Sequence, residues 1–550
     1  MELSSFRSFV LMLRTPITAA FAVCMAMQTI AQTPPDLNWA MPIPCTGSLT
    51  VMDMLCDEQG WPVVAGNFAD QLRPYEDQYY GALVPGNVYF LTYSSYRTLE
   101  EVSILYADGY TQVTGMVRDS AGHIYACGYF NGVAASDLLE VISSGGRDAF
   151  VLKLSPTGKG LWLKRFGGTL DDAAFGIDLS VDGKTVYVCG SFASATMAVG
   201  STSLSNTSAT DRLFMARLDT TLTPLSALTS FSSNGIAQGM SIRAVSDGTV
   251  RAVIDFTGNV QLTSTDVDHA SDGSYDILVT RWDSLLTTLT HIEAIHGTGE
   301  ARTASMDVDD LGNTYVAGTF AQTTTSGSNG VTSNGLKDAF LARFNPNMTN
   351  AWIISGGGTL DDRANDVVVQ GTDSILFGGT FQGLADFGIA SLDNVVALDG
   401  FVLCLRADGS LRYTLQPGDQ ANELIGAIAT DGVGSIYLAG TFDGPMTLAG
   451  ASLTPLVTEA DGFLMAAGQP FASVNELETE FIAYPNPFID NIMIRSSLSI
   501  NSWSISDMMG RVMRTGKGNT IEGLESLSCG LYTLQVEVGP RVLRKTVVKE

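Results

Sequence analysis

The sequence predicts an all-β fold: a seven-bladed β-propeller closed by an N-terminal strand and followed by a small C-terminal β-sandwich. Three observations lead there. First, one unit recurs seven times, marked by a phenylalanine at 68, 130, 192, 256, 320, 381 and 442, at spacings of 62, 62, 64, 64, 61 and 61 residues. Second, each unit carries four short apolar or alternating runs, clearest in residues 301–362 as ASMDV, NTYVAGTF, DAFLARF and AWIISG, separated by Asp, Gly, Asn and Pro. These runs have the period of strands, and four strands per near-constant repeat is a propeller pattern. Third, the two ends complement each other. The seventh unit stops after DGFLMAAGQP without a fourth run, whereas DLNWAMPIP from Asp36 precedes the first unit and belongs to none. Asn38 to Ile43 is therefore expected to supply the missing outer strand, covering two sheet edges that would otherwise be open.

Taken in order, residues 1–31 read as a secretory signal: Arg7 and Arg14 precede the apolar run Ile17 to Met27, and small residues lead up to Gln32. Residues 32–472 form the repeat region, and residues 473–550 the second domain. No later stretch reaches the ~18 apolar residues of a spanning helix, so a mature chain without a transmembrane helix is expected. The net charge is -27, from 57 acidic and 30 basic residues. Such a balance lacks the basic footprint that phosphate backbones require and argues against nucleic acid as a partner. Cys45 and Cys56 are close enough in sequence to pair, whereas Cys127 and Cys189 fall at the same place in successive units and read as buried small side chains. The cysteines and the four histidines show no zinc-site spacing.

Within the units, the third run opens on an acid or amide: Asn87, Asp148, Asp211, Asp276, Asp338, Asp399 and Asp461. The first and second runs are joined by DSAGHIY from Asp119, DDLGNTY from Asp309 and DGVGSIY from Asp431, where Asp accepts from backbone amides and Gly supplies positive φ. Repetition separates fold from function, because a residue present in every blade is explained by the blade. On that test the acid column and the GxF runs are structural, and Trp162 and Trp352 are expected to be buried between sheets.

Three places break the symmetry or gather chemistry. The connections GGTLDD put paired carboxylates at Asp171, Asp172, Asp361 and Asp362, whose oxygens suit a hard cation such as Ca²⁺. Blade four replaces GxF by Ile254-Asp255-Phe256 and carries Asp266 to Gly273, a partial calcium-loop spacing broken at Ala270; neither His269 nor His296 stands beside a nucleophile motif. Blade one carries an insertion from Asp70 to Gly86, and eight of the 17 tyrosines lie between residues 75 and 110. Arg73, Tyr75, Tyr79 and Tyr80 there form a candidate platform for a glycan or protein ligand, since a tyrosine offers a flat apolar face with a polar edge.

The last domain again reads as strands with Gly and Pro turns. It contains YPNPF (Tyr484, Pro485, Asn486, Pro487, Phe488), DMMGR ending in Gly510 and Arg511, LSCGLYTLQV with Gly530 and Tyr532, and the basic KTVVKE from Lys545. These four motifs, in this order, resemble the type A C-terminal sorting domain of the bacterial type IX secretion system. Cys529, where a small non-thiol residue is usual, and the terminal Glu550 depart from that pattern. The resemblance implies export across the inner membrane by the signal, passage across the outer membrane through the type IX machinery, and release or surface attachment. The repeats, with DAFLARF and GGTLDD, resemble the bacterial SBBP-type β-propeller repeat, which implies no common chemistry. Two functions follow as expectations: a non-catalytic exported propeller that binds a polymer or protein partner, or an extracellular hydrolase or lyase with a metal or carboxylate site at the channel.

Overall fold

A computed structural model describes residues 32 and 34–468, apart from 76–77, 82–85, 96, 209, 394–397, 419–421, 449–450 and 457–459, and residues 481–549, apart from 485–487, 497–499, 508–510 and 539–540. The signal segment 1–31 and the junction 469–480 lie outside the described residues.

The repeat region is all β, and each unit folds into an antiparallel meander, of four strands in the first six units and of three in the seventh. The fifth unit is typical: Ala301–Val308, Thr314–Phe320, Asp338–Phe344 and Asn350–Gly356 pair in sequence order. The turn between its first two strands works as the sequence predicts. Asp309 Oδ1 accepts from the amides of Leu311 and Asn313 at 3.0 and 2.8 Å, and Gly312 takes φ +83°. In the seventh sheet the outermost strand is Leu37–Ile43, antiparallel to Asp461–Gly468 with Trp39 opposite Ala466 and Ile43 opposite Gly462. Trp39 is buried there, edge-on to Tyr437 at 6.3 Å.

The first strands of the seven sheets are Leu49–Cys56, Thr111–Arg118, Asp172–Leu179, Ala237–Ala244, Ala301–Val308, Arg363–Gln370 and Glu423–Thr430. Each packs on the next in that order, and the last packs on the first. Between neighbouring sheets lie hydrophobic clusters such as Tyr125, Cys127, Ala174, Ile177 and Val188, in which the repeated Tyr and Phe positions are buried. The arrangement is an all-β architecture compatible with a propeller.

Three expectations need correction. Trp162 is 41% exposed rather than buried, because its strand is the outer edge of its sheet and Lys164 lies over its free face at 5.5 Å. Cys45 and Cys56 are both free. They lie beyond opposite ends of most of Leu49–Cys56, and a strand rises ~3.3 Å per residue, so their sulfurs cannot meet. In the third sheet the acid column is occupied by Arg212, the residue opposite Phe192, and not by Asp211. Arg212 is buried and donates to the carbonyls of Ser205 (3.2 Å) and Ser230, doing with donors what a carboxylate does elsewhere by accepting amides.

The C-terminal domain places Phe481–Tyr484, Ile492–Ser496 and Thr520–Ile521 in one sheet and Ile500–Asp507, Val512–Gly516, Gly530–Val538 and Arg541–Lys549 in another. Phe488, Ile494, Ile505, Leu534 and Val547 form their common core. Of the motif residues, Tyr532 is buried and donates to the Ser528 carbonyl at 2.8 Å, and Arg511 closes its hairpin on Asp507 at 3.1 Å. Gly530 takes φ +150° and is exposed, as is Lys545, while Tyr484 lies in a strand. Pro485, Asn486, Pro487 and Gly510 lie outside the described residues.

Candidate functional site

Each of the seven first strands is interrupted at the same point by a β-bulge. The extra residues are Met52, Thr114, Phe175, Met240, Ala304, Asn365 and Gly426. A bulge bends its strand and re-aims one side chain, and here all seven extra residues line a single cavity of about 290 Å³. This column does not repeat. By the test that separates blade from function, it is the part of the repeat region that the repeat leaves unexplained.

Charge collects just past the bulges. Arg243 lies with its Nε 3.7 Å from Asp307 Oδ1. Both are deep in the protein; Arg243 lines the cavity and its side chain keeps 32% of its surface, while Asp307 beside it keeps 25%. Burial alone lowers the affinity of Arg243 for its proton, but Asp178, Asp307, Asp53 and Asp366 together raise it. Burial pushes the carboxyls of Asp53 and Asp178 up to about 6 and that of Asp366 up to about 7, and raises Asp307 as well. Backbone amides and Arg243 oppose the rise at Asp53, Asp178 and Asp307; Asp366 is raised further by Asp53. These acids also tie neighbouring first strands together: Asp53 accepts from the Met116 amide (2.6 Å), Asp178 from Ala244 (2.7 Å), Asp307 from Val369 (2.8 Å) and Asp366 from Ile428 (2.8 Å).

At the rim, Tyr129 and Tyr110 both donate to Gln112 Oε1, at 2.5 and 2.6 Å, with their rings stacked at 6.0 Å. Phe175 meets Tyr129 edge-on at 6.4 Å, and the Arg147 guanidinium lies over Tyr129 at 5.0 Å. Tyr110 is 50% exposed. Gly86, the last residue of the tyrosine-rich insertion, abuts the Tyr110 ring, so the insertion and the rim are continuous.

The residues singled out from the sequence are distributed around this end. Asp171 reaches the rim through Arg147, accepting from its amide at 2.9 Å and its Nη2 at 3.1 Å; that amide first, then the guanidinium, hold the carboxyl below its usual range. Asp172 turns inward and accepts from the Gly168 amide and the Ser194 hydroxyl at 2.6 and 2.7 Å. Asp362 accepts from the amides of Gly358 and Gln382 at 2.6 and 2.9 Å, and Asp361 lies 3.8 Å from Arg363. The two pairs belong to different connections, and the described residues contain no cluster of three or more His, Cys, Asp or Glu suited to a metal ion. In the insertion, Gln71–Tyr75 and Gln78–Gly81 form a hairpin. Tyr79 is exposed, Arg73 bonds Gln71 at 2.8 Å, Tyr80 packs against the cluster around Trp39, and the Tyr75 side chain lies outside the described residues. In the fourth unit His269 lies 3.2 Å from Asp266, and His296 lies 2.8 Å from Asp272. Asp255, which interrupts GxF, is buried against Arg302 (2.9 Å) and the Thr303 hydroxyl (2.7 Å).

Sequence reading missed Asp53, Asp178, Arg243, Asp307 and Asp366. The signal is present: aligned on the repeat, these first strands carry a charge inside an apolar run, as ASMDV does.

Residues 482–550 match the family described as the secretion system C-terminal sorting domain. The chain therefore ends in a type IX sorting domain, which supports export and cell-surface delivery. No curated protein matches the chain. Among solved structures, the Pyrococcus horikoshii acylaminoacyl peptidase is 8% identical at a TM-score of 0.37, covering 82% of this chain, which spans 59% of the peptidase. The Niastella koreensis GH74 enzyme is 10% identical at a TM-score of 0.23, covering 92% of each. At such values neither brings an activity to this chain. Among the described residues no helix is long and apolar enough to cross a membrane.

Proposed function

We propose that the protein is an exported, non-catalytic seven-bladed β-propeller that binds a polymer or protein partner at the cell surface or outside the cell. The signal segment takes it into the periplasm, and the sorting domain takes it through the type IX machinery. The observation that carries the binding reading is the convergence of seven non-repeating bulge residues on one cavity, with Tyr110, Tyr129 and Gln112 at its rim. Stacked tyrosines joined by a planar amide offer an apolar face beside fixed polar atoms, the combination that recognises a sugar ring or a peptide. On this reading Asp171, Asp172, Asp361 and Asp362 brace their connections instead of holding Ca²⁺, and Tyr79 with Arg73 extends the rim. The test is binding of the full chain to glycan and peptide arrays, repeated with Tyr129→Ala and Gln112→Ala. Signals that survive both substitutions sink the rim assignment.

A second reading, an extracellular hydrolase or lyase, is favoured by Asp53 and Asp366. Two cavity carboxyls held near neutrality meet the acid-base requirement of such chemistry. Turnover of an array ligand that disappears in both Asp53→Asn and Asp366→Asn would establish it in place of the first.

A further inference from the structure

At the other end of the sheets, where the turns between first and second strands gather, a second pattern is broken. In sheets two to five the third strand places a cation opposite the second: Lys153 faces Tyr125, Arg217 faces Tyr187, Arg281 faces Arg251 and Arg343 faces Tyr315. Three of these cations are used by the fold. Lys153 donates to the Thr220 carbonyl of the next sheet at 3.0 Å, Arg281 pairs with Asp247 at 3.1 Å, and Arg343 bonds the Tyr315 hydroxyl and Asn345 at 3.2 Å.

Arg217 differs. It donates to the Tyr187 hydroxyl, which itself donates to the Ser284 carbonyl at 2.8 Å. Its buried Nε, like that of Arg281, has no hydrogen-bond partner, but whereas Arg281 pairs with Asp247, Arg217 faces open space. In front of it, between sheets three and four, opens a cavity of about 300 Å³ whose other walls include Ser180, Asp182, Ser246, Thr249 and Ser284. The charges around it are otherwise committed. Asp182 accepts from Ser180 at 2.7 Å and pairs with Lys184 at 3.4 Å, Asp178 accepts the Ala244 amide, and Asp247 is held by Thr249 and Arg281. A guanidinium left with an unpaired donor beside hydroxyl-lined space lacks an acceptor, and an unsatisfied buried donor is costly.

We propose that this cavity is a binding site for an oxyanion, a phosphate, sulfate or carboxylate group, held by the Arg217 guanidinium with the exposed hydroxyls of Ser246 and Ser284. It is independent of the rim described above and lies at the opposite end of the sheets. A planar guanidinium bonds such groups through two parallel N–H donors. In a chain this acidic, general attraction of anions is absent, so binding depends on the local site.

The test is calorimetric titration of the full chain with sodium phosphate, sodium sulfate and sodium acetate at matched ionic strength, which also separates the three sources. The expected result is saturable binding of at least one, weakened about ten- to a hundredfold in Arg217→Gln and unchanged in Arg343→Gln, which removes the corresponding cation of sheet five. Ser284→Asp places a negative charge on the cavity wall from an exposed turn, leaves Arg217 intact and should abolish binding. Absence of binding by all three anions, or binding indifferent to both Arg217→Gln and Ser284→Asp, overturns the proposal.

Discussion

The Ser305 hydroxyl donates to Asp366 Oδ1 at 2.8 Å, while the other oxygen of the same carboxyl accepts the Ile428 amide at 2.8 Å. One side chain thus joins the first strands of sheets five, six and seven. Replacing it by alanine leaves a buried amide and a hydroxyl without an acceptor, at about 1–3 kcal/mol per unsatisfied group. Asp366→Ala is expected to lower the unfolding midpoint measurably, and a loss no larger than that of an exposed substitution such as Asp408→Ala removes the bridging role.

The same cluster sets a pH dependence. Asp53, Asp178 and Asp366 have folded values of about 6, 6 and 7, above the ordinary carboxyl value. Across that window the folded chain holds more protons than the unfolded one, so these groups favour folding at low pH, and their contribution is lost as pH rises through 6 to 7. Chemical denaturation should therefore give greater stability at pH 5 than at pH 8, and Asp366→Asn should flatten that slope. A slope unchanged by the substitution counts against the assignment.

The outer strand of sheet seven comes from the other end of the repeat region, and Trp39 is its buried anchor. Removing a buried tryptophan typically costs about 3–5 kcal/mol. Trp39→Ala should lower the thermal midpoint far more than Trp162→Ala, whose ring is 41% exposed; equal effects would contradict the packing described.

Asp172 and Asp362 each accept one backbone amide of their own connection, Gly168 and Gly358, and one at or just past the far end of the following second strand, Ser194 and Gln382. With those oxygens engaged, the unfolding midpoint is expected to stay constant within error between buffers containing EDTA and millimolar Ca²⁺. A midpoint that rises with Ca²⁺ and loses that rise in Asp362→Asn would instead establish a cation at the connections.

Deleting residues 473–550 should leave the repeat region inside the cell envelope, as read by fractionation. Surface or medium localisation of the truncated chain would remove the sorting domain from the export route.

Much of the fold is legible in the sequence because period and turn chemistry are local. Asp309 and Gly312 announce their turn, and the orphan run around Trp39 announces its destination by having no unit. The cavity is less legible. Its residues are set by bulges, which add one residue without changing the run of apolar letters, so Met52, Phe175 and Met240 look like ordinary core. Arg212 was hidden for a related reason: Asp211 beside it supplied the expected letter one position out of register. The tyrosine-rich stretch lies at the same end of the sheets as the rim, but the rim pair is Tyr110 with Tyr129, and only Tyr110 lies within that stretch.

Asn38 donates to the carbonyl of Gly468, 430 residues away, at 3.3 Å. The first described strand therefore waits, during synthesis, for nearly the whole repeat region to be made before it finds its partner. The sorting domain follows that partner in the chain after the junction 469–480. A product cut short before residue 461 lacks both the strand on which Leu37–Ile43 pairs and the address that directs its export. Completion of the seventh sheet and eligibility for delivery are in this way written into neighbouring stretches of chain, so an incompletely synthesised copy carries no sorting domain of its own.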